Sequence, residues 1–148
     1  MRIAIASDHA AFALKQALIP WLRDEGHDVD DLGTHGPESV DYPDYGAKLG
    51  AAVANGSAER GIALCGSGIG IAIAANRNSG CRCAQVSEPL SAALARRHND
   101  ANAIAMGARL IGEEMARACI TAFLATEFEG GRHAARVAKL GQTEGTAA

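Results

Sequence analysis

The chain has 148 residues, 48% of them apolar and only 4% aromatic, with 17 glycines and a formal net charge of −3. That length suits one domain with a substantial core, and a composition led by Ala, Ile, Leu and Val suits short buried parallel strands between alanine-rich helices better than an all-β sandwich. The acidic balance, with no basic stripe, argues against a nucleic-acid partner, and no apolar run approaches the roughly 20 residues of a membrane span.

Arg2–Ala6 reads as a strand that begins almost at the first residue, without the layout of a signal peptide, so a cytoplasmic location is expected. A helix follows with apolar residues at Leu14, Leu18, Trp21 and Leu22, which Pro20 should kink or break. Asp28–Leu32 is a short second strand and 33–43 a polar loop. Asp44–Asn55 is helical, with Tyr45, Leu49, Ala52 and Val53 on one face. Arg60–Leu64 is a third strand, leading into a glycine-rich turn and a helix around 71–76. Cys81–Val86 is a fourth strand and Glu88–Arg97 a helix, with Pro89 in its tolerant first turn. Ala103–Met106 is a fifth strand. Gly112–Ala125 is a helix with a stripe of Met115, Cys119, Ala122 and Phe123. Arg132–Leu140 is a last helix, and 141–148 a frayed tail. Strands alternating with helices predict a Rossmann-like three-layer α/β/α sandwich on a five-stranded parallel sheet, with residues 1–148 as a single domain.

In such a sheet, ligands bind beyond the carboxyl ends of the strands. The richest of these is Cys65-Gly66-Ser67-Gly68-Ile69-Gly70. A buried strand feeding a glycine turn and a helix leaves backbone N–H groups aimed at one small volume, a ready anion site. The same positive potential favours the thiolate form of a cysteine placed there. The glycines run G-x-G-x-G after the third strand, and no acidic residue follows about 20 positions on, so the dinucleotide fingerprint fails. The Walker pattern fails too. No Asp or Glu lies between Arg60 and Ser87, so Cys65 is the proton acceptor this segment can offer. Cys65 as a small buried hydrophobe, or as a hydrolytic nucleophile, remains an alternative. Cys81, Cys83 and Cys119 lack zinc-like spacing and read as structural thiols, Cys81 and Cys83 on one face of a strand; no metal is expected.

Asp8 and His9 follow the first strand, where Asp8 could equally be a helix N-cap. His98-Asn99-Asp100 ends the fourth helix; His98 is either a dipole-stabilised surface residue or a functional one, and a helix end here could reach the same rim. Arg132 and Arg136 share a helical face, either solvated or forked around a phosphate.

Together, Ser7-Asp8-His9, Asp41-Tyr42-Pro43, Cys65–Gly70, Ala74-Ala75-Asn76, Ser87-Glu88-Pro89, Arg97–Asp100 and Glu129–His133 closely resemble the ribose-5-phosphate isomerase B family, which shares its fold with the lactose-pathway galactose-6-phosphate isomerases. The resemblance spans nearly the whole chain. It implies interconversion of ribose 5-phosphate and ribulose 5-phosphate through a cis-enediolate, without metal or organic cofactor. Carried over, Cys65 takes the C2 proton, and the amides of Gly66, Ser67, Gly68, Ile69 and Gly70 hold the enediolate oxygens. His98 assists ring opening with Asp8. Tyr42 and Asn99 contact the sugar, and His9, Arg109, Arg132 and Arg136 grip the phosphate. It also implies a homodimer, or a tetramer, with the site between subunits and the carboxyl-terminal helix serving the partner. Another sugar phosphate (allose 6-phosphate, galactose 6-phosphate or a tetrose phosphate) is the nearest alternative, and a non-catalytic nucleotide- or metabolite-binding module a further one.

Overall fold

The computed structural model describes residues 1–142; of the tail expected over 141–148, residues 143–148 lie outside the described residues. Five strands, β1 (Arg2–Ser7), β2 (Asp28–Asp31), β3 (Arg60–Cys65), β4 (Cys83–Gln85) and β5 (Ala103–Gly107), form one parallel sheet in the order β2-β1-β3-β5-β4. Six helices cover it: α1 (Phe12–Asp24), α2 (Tyr42–Ala54), α3 (Ile69–Ala75), α4 (Pro89–Asn99), α5 (Glu113–Ala125) and α6 (Arg132–Leu140). A single 3-10 turn, His9–Ala11, precedes α1.

The strands explain the layering. Side chains alternate across a strand, and here large and small residues alternate with them. Ile3, Ile5, Ile62, Leu64, Ile104 and Met106 face one way, packing with Leu18 and Leu22 of α1 and with Cys119, Ile120 and Phe123 of α5. Ala6, Ala63, Cys65, Ala103 and Ala105 face the other, against Leu49 of α2 and Ile71 and Ala75 of α3. On the small-residue face the helices come close to each other as well. A Cβ on Gly46 of α2 would lie 2.8 Å from the Ile71 carbonyl oxygen of α3. Cys81 and Cys83 share this face, as expected.

Three expectations need correction. Helix α1 continues through Pro20 to Asp24 without a break. Burial of Leu18, Ile19 and Leu22 holds the helix on the sheet, and packing of this kind outweighs the loss of one amide donor. In α5 the buried stripe is Ala116, Cys119, Ile120 and Phe123, while Met115 is exposed. Cys119 and Phe123 hold the expected positions and Ala122 is partly buried against the core, while Ala116 replaces Met115 and Ile120 joins the stripe. Strand β4 is only Cys83–Gln85, because the Cys81 N–H closes a turn onto the Asn78 carbonyl at 2.9 Å.

Candidate active site

The turn after β3 is built by close backbone approach. Gly68 has φ +78°, and a Cβ there would lie 2.7 Å from the Met106 backbone; a left-handed residue pressed on β5 has to be glycine. The mirror contact is Gly107, whose Cβ would meet the Ser67 backbone at 2.6 Å. Two further bonds, Ala108 N–H to the Cys65 carbonyl at 2.9 Å and Arg109 N–H to the Gly66 carbonyl at 3.0 Å, lock the turn to the segment following β5.

Cys65 is buried at the end of β3, and its Sγ accepts the Gly68 N–H at 3.1 Å. Ser67 Oγ accepts the Ile69 N–H at 3.2 Å at the start of α3. Among the described residues, no hydrogen bond takes up the N–H groups of Gly66 or Ser67. The Arg109 guanidinium lies over the turn, 3.2 Å from a Cβ placed on Gly66, and the Tyr42 ring rests on Gly70. Arg109 forms no ion pair among the described residues. The thiol, free amides, phenol ring and guanidinium thus meet at one rim.

Asp8 and His9 sit on the adjoining strand end, with the Asp8 N–H bonded to the Leu64 carbonyl at 3.2 Å. Asp8 is buried and caps the 3-10 turn, its Oδ1 accepting the Ala10 N–H at 3.0 Å. The capping reading is therefore correct, and a carboxylate oxygen has lone pairs left for a second partner. His9 Nδ1 accepts the Val40 N–H at 3.1 Å.

His98 and Asn99 are not at this rim, contrary to the expectation that the end of their helix would reach it. Helix α4 starts at Pro89, beyond the carboxyl end of β4, and runs back to Asn99 just before β5 begins at Ala103. Its last residues therefore lie at the amino ends of the strands, roughly 15 Å away along the sheet direction. Asn99 lines a cleft of about 380 Å³ with Asn76, Arg82 and Cys83, at the start of β4.

At that second rim α6 docks on α4. The His133 ring stacks on His98 with centroids 4.5 Å apart and planes 14° from parallel. Burial, the His98 ring and the nearby Arg132 hold His133 below its ordinary pKa of 6.5, with Glu129 opposing them. His98, Asn99, His133 and Arg136 line one cavity of about 320 Å³, and Arg132 and Arg136 are exposed without a carboxylate partner among the described residues. His98, Glu129 and His133 present ligand atoms within 4.8 Å of one another. Near-parallel stacked rings carry their in-plane lone pairs side by side rather than converging on one point, so the group is a poor tetrahedral cage. Arg96 fixes the end of α4: it is buried and donates to Asp100 Oδ1 at 2.8 Å, the Ala101 carbonyl at 2.7 Å and the Thr126 carbonyl at 3.2 Å.

Sequence reasoning did not single out Arg96, nor Lys15 and Asp31, which form an ion pair between a fully buried lysine and a half-buried aspartate. A lysine on the sheet-facing side of α1, in line with Leu18 and Leu22, is the sequence signal for that pair.

Held at the carboxyl ends of a parallel sheet, a thiol facing free amides and an unpaired guanidinium make this an α/β enzyme for small anionic substrates. Residues 3–140 match the model of the Ribose/Galactose Isomerase family, and the chain belongs to that family. It is 45% identical to ribose-5-phosphate isomerase B of Escherichia coli K12 over 92% of this chain and 91% of that one. It is 44% identical to the D-erythrulose-4-phosphate isomerase of Pectobacterium atrosepticum, over 97% and 95%. Among solved structures, the ribose-5-phosphate isomerase B of Clostridium thermocellum superposes with a TM-score of 0.94 at 48% identity, covering 95% of each chain.

Proposed function

We propose that the chain interconverts D-ribose 5-phosphate and D-ribulose 5-phosphate. The observation that carries this reading is the Cys65 sulfur at 3.1 Å from an N–H of the glycine turn: base and anion-holding amides are one structural unit. A hydrogen α to a carbonyl is weakly acidic, so the enzyme has to stabilise the charge that develops as it leaves. In this scheme the Cys65 thiolate removes the proton from C2, the C2–H electron pair forms the C1=C2 double bond, and the C1 carbonyl oxygen becomes the enediolate oxygen. The free amides of the turn receive that charge. The C2 hydroxyl proton passes to the C1 oxygen, and the same thiol returns its proton to C1 as the C2 oxygen becomes the carbonyl. Neither step changes the substrate's overall redox state, so the chemistry needs no external oxidant or reductant.

His98 and Asp8 serve ring opening, Asn99 and Tyr42 the sugar hydroxyls, and His9, Arg109, Arg132 and Arg136 the phosphate. Because His98, Asn99 and the two carboxyl-terminal arginines occupy the opposite rim from Cys65, one chain cannot close the site. A second copy brings its own rim to the first, so the working unit is a homodimer or a larger even assembly. Four cysteines without a disulfide fit a reducing cytoplasm.

Coupled turnover of ribose 5-phosphate tests the reading. Cys65→Ala should lower kcat about 10²- to 10⁴-fold with little change in KM, the usual worth of a positioned base; near-normal turnover would remove Cys65 from the mechanism. A second reading, a four-carbon sugar phosphate, is favoured by the almost equal identity to the erythrulose-4-phosphate enzyme. Comparing kcat/KM on tetrose, pentose and hexose phosphates decides between the two.

A further inference from the structure

A strap of chain, residues 31–40, crosses the end of β1 and holds its backbone and the His9 ring. The Leu32 N–H donates to the Ile5 carbonyl at 2.9 Å, the Ser7 N–H to the Gly33 carbonyl at 2.7 Å and the Thr34 N–H to the Ser7 carbonyl at 2.8 Å. At its far end the Val40 N–H donates to His9 Nδ1 at 3.1 Å. An imidazole accepting at Nδ1 carries its proton on Nε2, so this bond also leaves Nε2 as a donor for a ligand.

The near end of the strap is anchored by a charge inside the protein. Lys15 is fully buried, and its ammonium donates to both Asp31 oxygens, at 2.7 and 2.8 Å. Asp31 Oδ1 also accepts the Gly33 N–H at 3.0 Å. Stability alone gives little reason for such a pair, because apolar residues of similar volume commonly serve as well or better than a buried ion pair. Its distinctive effect is geometric: two short bonds to Lys15 of α1 and one turn bond fix where the strap leaves β2 at Asp31, and the strap ends on His9.

We propose that Lys15 is a positioning residue for His9, acting through Asp31 and the 31–40 strap. The proposal rests on the reading above that His9 binds the phosphate of the substrate.

Three proteins test it: Lys15→Met, Asp31→Asn, which keeps an acceptor for Gly33 while dropping the charge, and His9→Gln as reference. The readouts are NMR hydrogen exchange at the Thr34 and Val40 amides, kcat and KM for ribose 5-phosphate, and the melting temperature. Lys15→Met and Asp31→Asn should exchange Val40 at least about 10-fold faster, and should raise KM about 10-fold while kcat changes less than about 3-fold. Should Lys15→Met fail to fold, Asp31→Asn carries the same expectation. Unchanged Val40 exchange and unchanged KM, with only the melting temperature lowered, overturn the proposal and leave the pair as scaffold. If His9→Gln itself leaves KM untouched, the assignment of His9 to the phosphate fails, while the Val40 exchange still judges the strap.

Discussion

Cys65 differs from the other three cysteines in its surroundings more than in its burial, since all four are buried and unpaired. Cys65 alone faces a glycine-turn amide. Burial pushes the Cys81 thiol up to about 11, against a small opposing pull from Arg82. Burial also raises Cys83 and Cys119. At neutral pH these thiols stay protonated and make poor nucleophiles. Cys81→Ala and Cys83→Ala should therefore keep turnover within about two- to threefold of the parent, in contrast to the loss of about 10²-fold or more at Cys65; steady-state assays on the three single variants check this. The thiol, the glycine turn and the arginine pair were all legible in the sequence, because short motifs report local backbone chemistry. Lys15, Asp31 and Arg96 were not. Their partners lie on other elements or in loops, and a charged residue among apolar ones has no meaning until its partner is placed.

At the scale of elements, the order of strands and helices could be read from hydrophobic periodicity, since each buried strand is bounded by turn residues. Phase and direction were harder. Met115 has the size of a core residue, yet Ala116 takes the buried position. The placing of His98 depended on which end of α4 it occupies, which only the antiparallel run of that helix against the sheet decides. The stacked His98–His133 pair gives α6 a pH-sensitive dock. His133 is held below its ordinary value of 6.5 by burial first and His98 second, so the unfolded chain takes up a proton that the folded chain refuses. The linked stability is therefore present above about pH 6.5 and lost as pH falls below it. A wild-type melting temperature that declines between pH 7 and pH 5, more steeply than in His133→Gln, is the expected result. The glycine turn makes a sharper demand. Gly68→Ala combines a left-handed backbone with a Cβ 2.7 Å from the Met106 backbone and should destabilise by about 1–3 kcal/mol, measurable by urea unfolding, with turnover lost in the fraction that still folds.

For the whole molecule, the separation of Cys65 and Arg109 from His98, Arg132 and Arg136 turns a catalytic question into one of assembly. If the rims meet only between copies, Cys65→Ala and a double Arg132→Ala, Arg136→Ala variant are each nearly inactive alone but complement when mixed. After subunit exchange, about a quarter of the sites should regain an intact set. Mixtures that stay as inactive as their components would show that each site is built within one chain.

The amides of Asn76 and Asn102 bear on how copies can meet. Asn76 donates to the Cys83 carbonyl at 2.8 Å and accepts the Cys83 N–H at 2.7 Å, while Asn102 accepts the Arg82 N–H at 2.7 Å and donates to the Gly80 carbonyl at 2.9 Å. Asn76 thus imitates a neighbouring strand at Cys83 on the outer margin of β4, while Asn102, next to β5, braces the approach to β4 from the inner side; an uncovered margin is a template for another chain. A strand added at this border would have to displace the Asn76 amide from Cys83, which leaves the helix faces as the less obstructed surfaces for a second copy. One asparagine side chain thereby finishes the β4 border of the sheet.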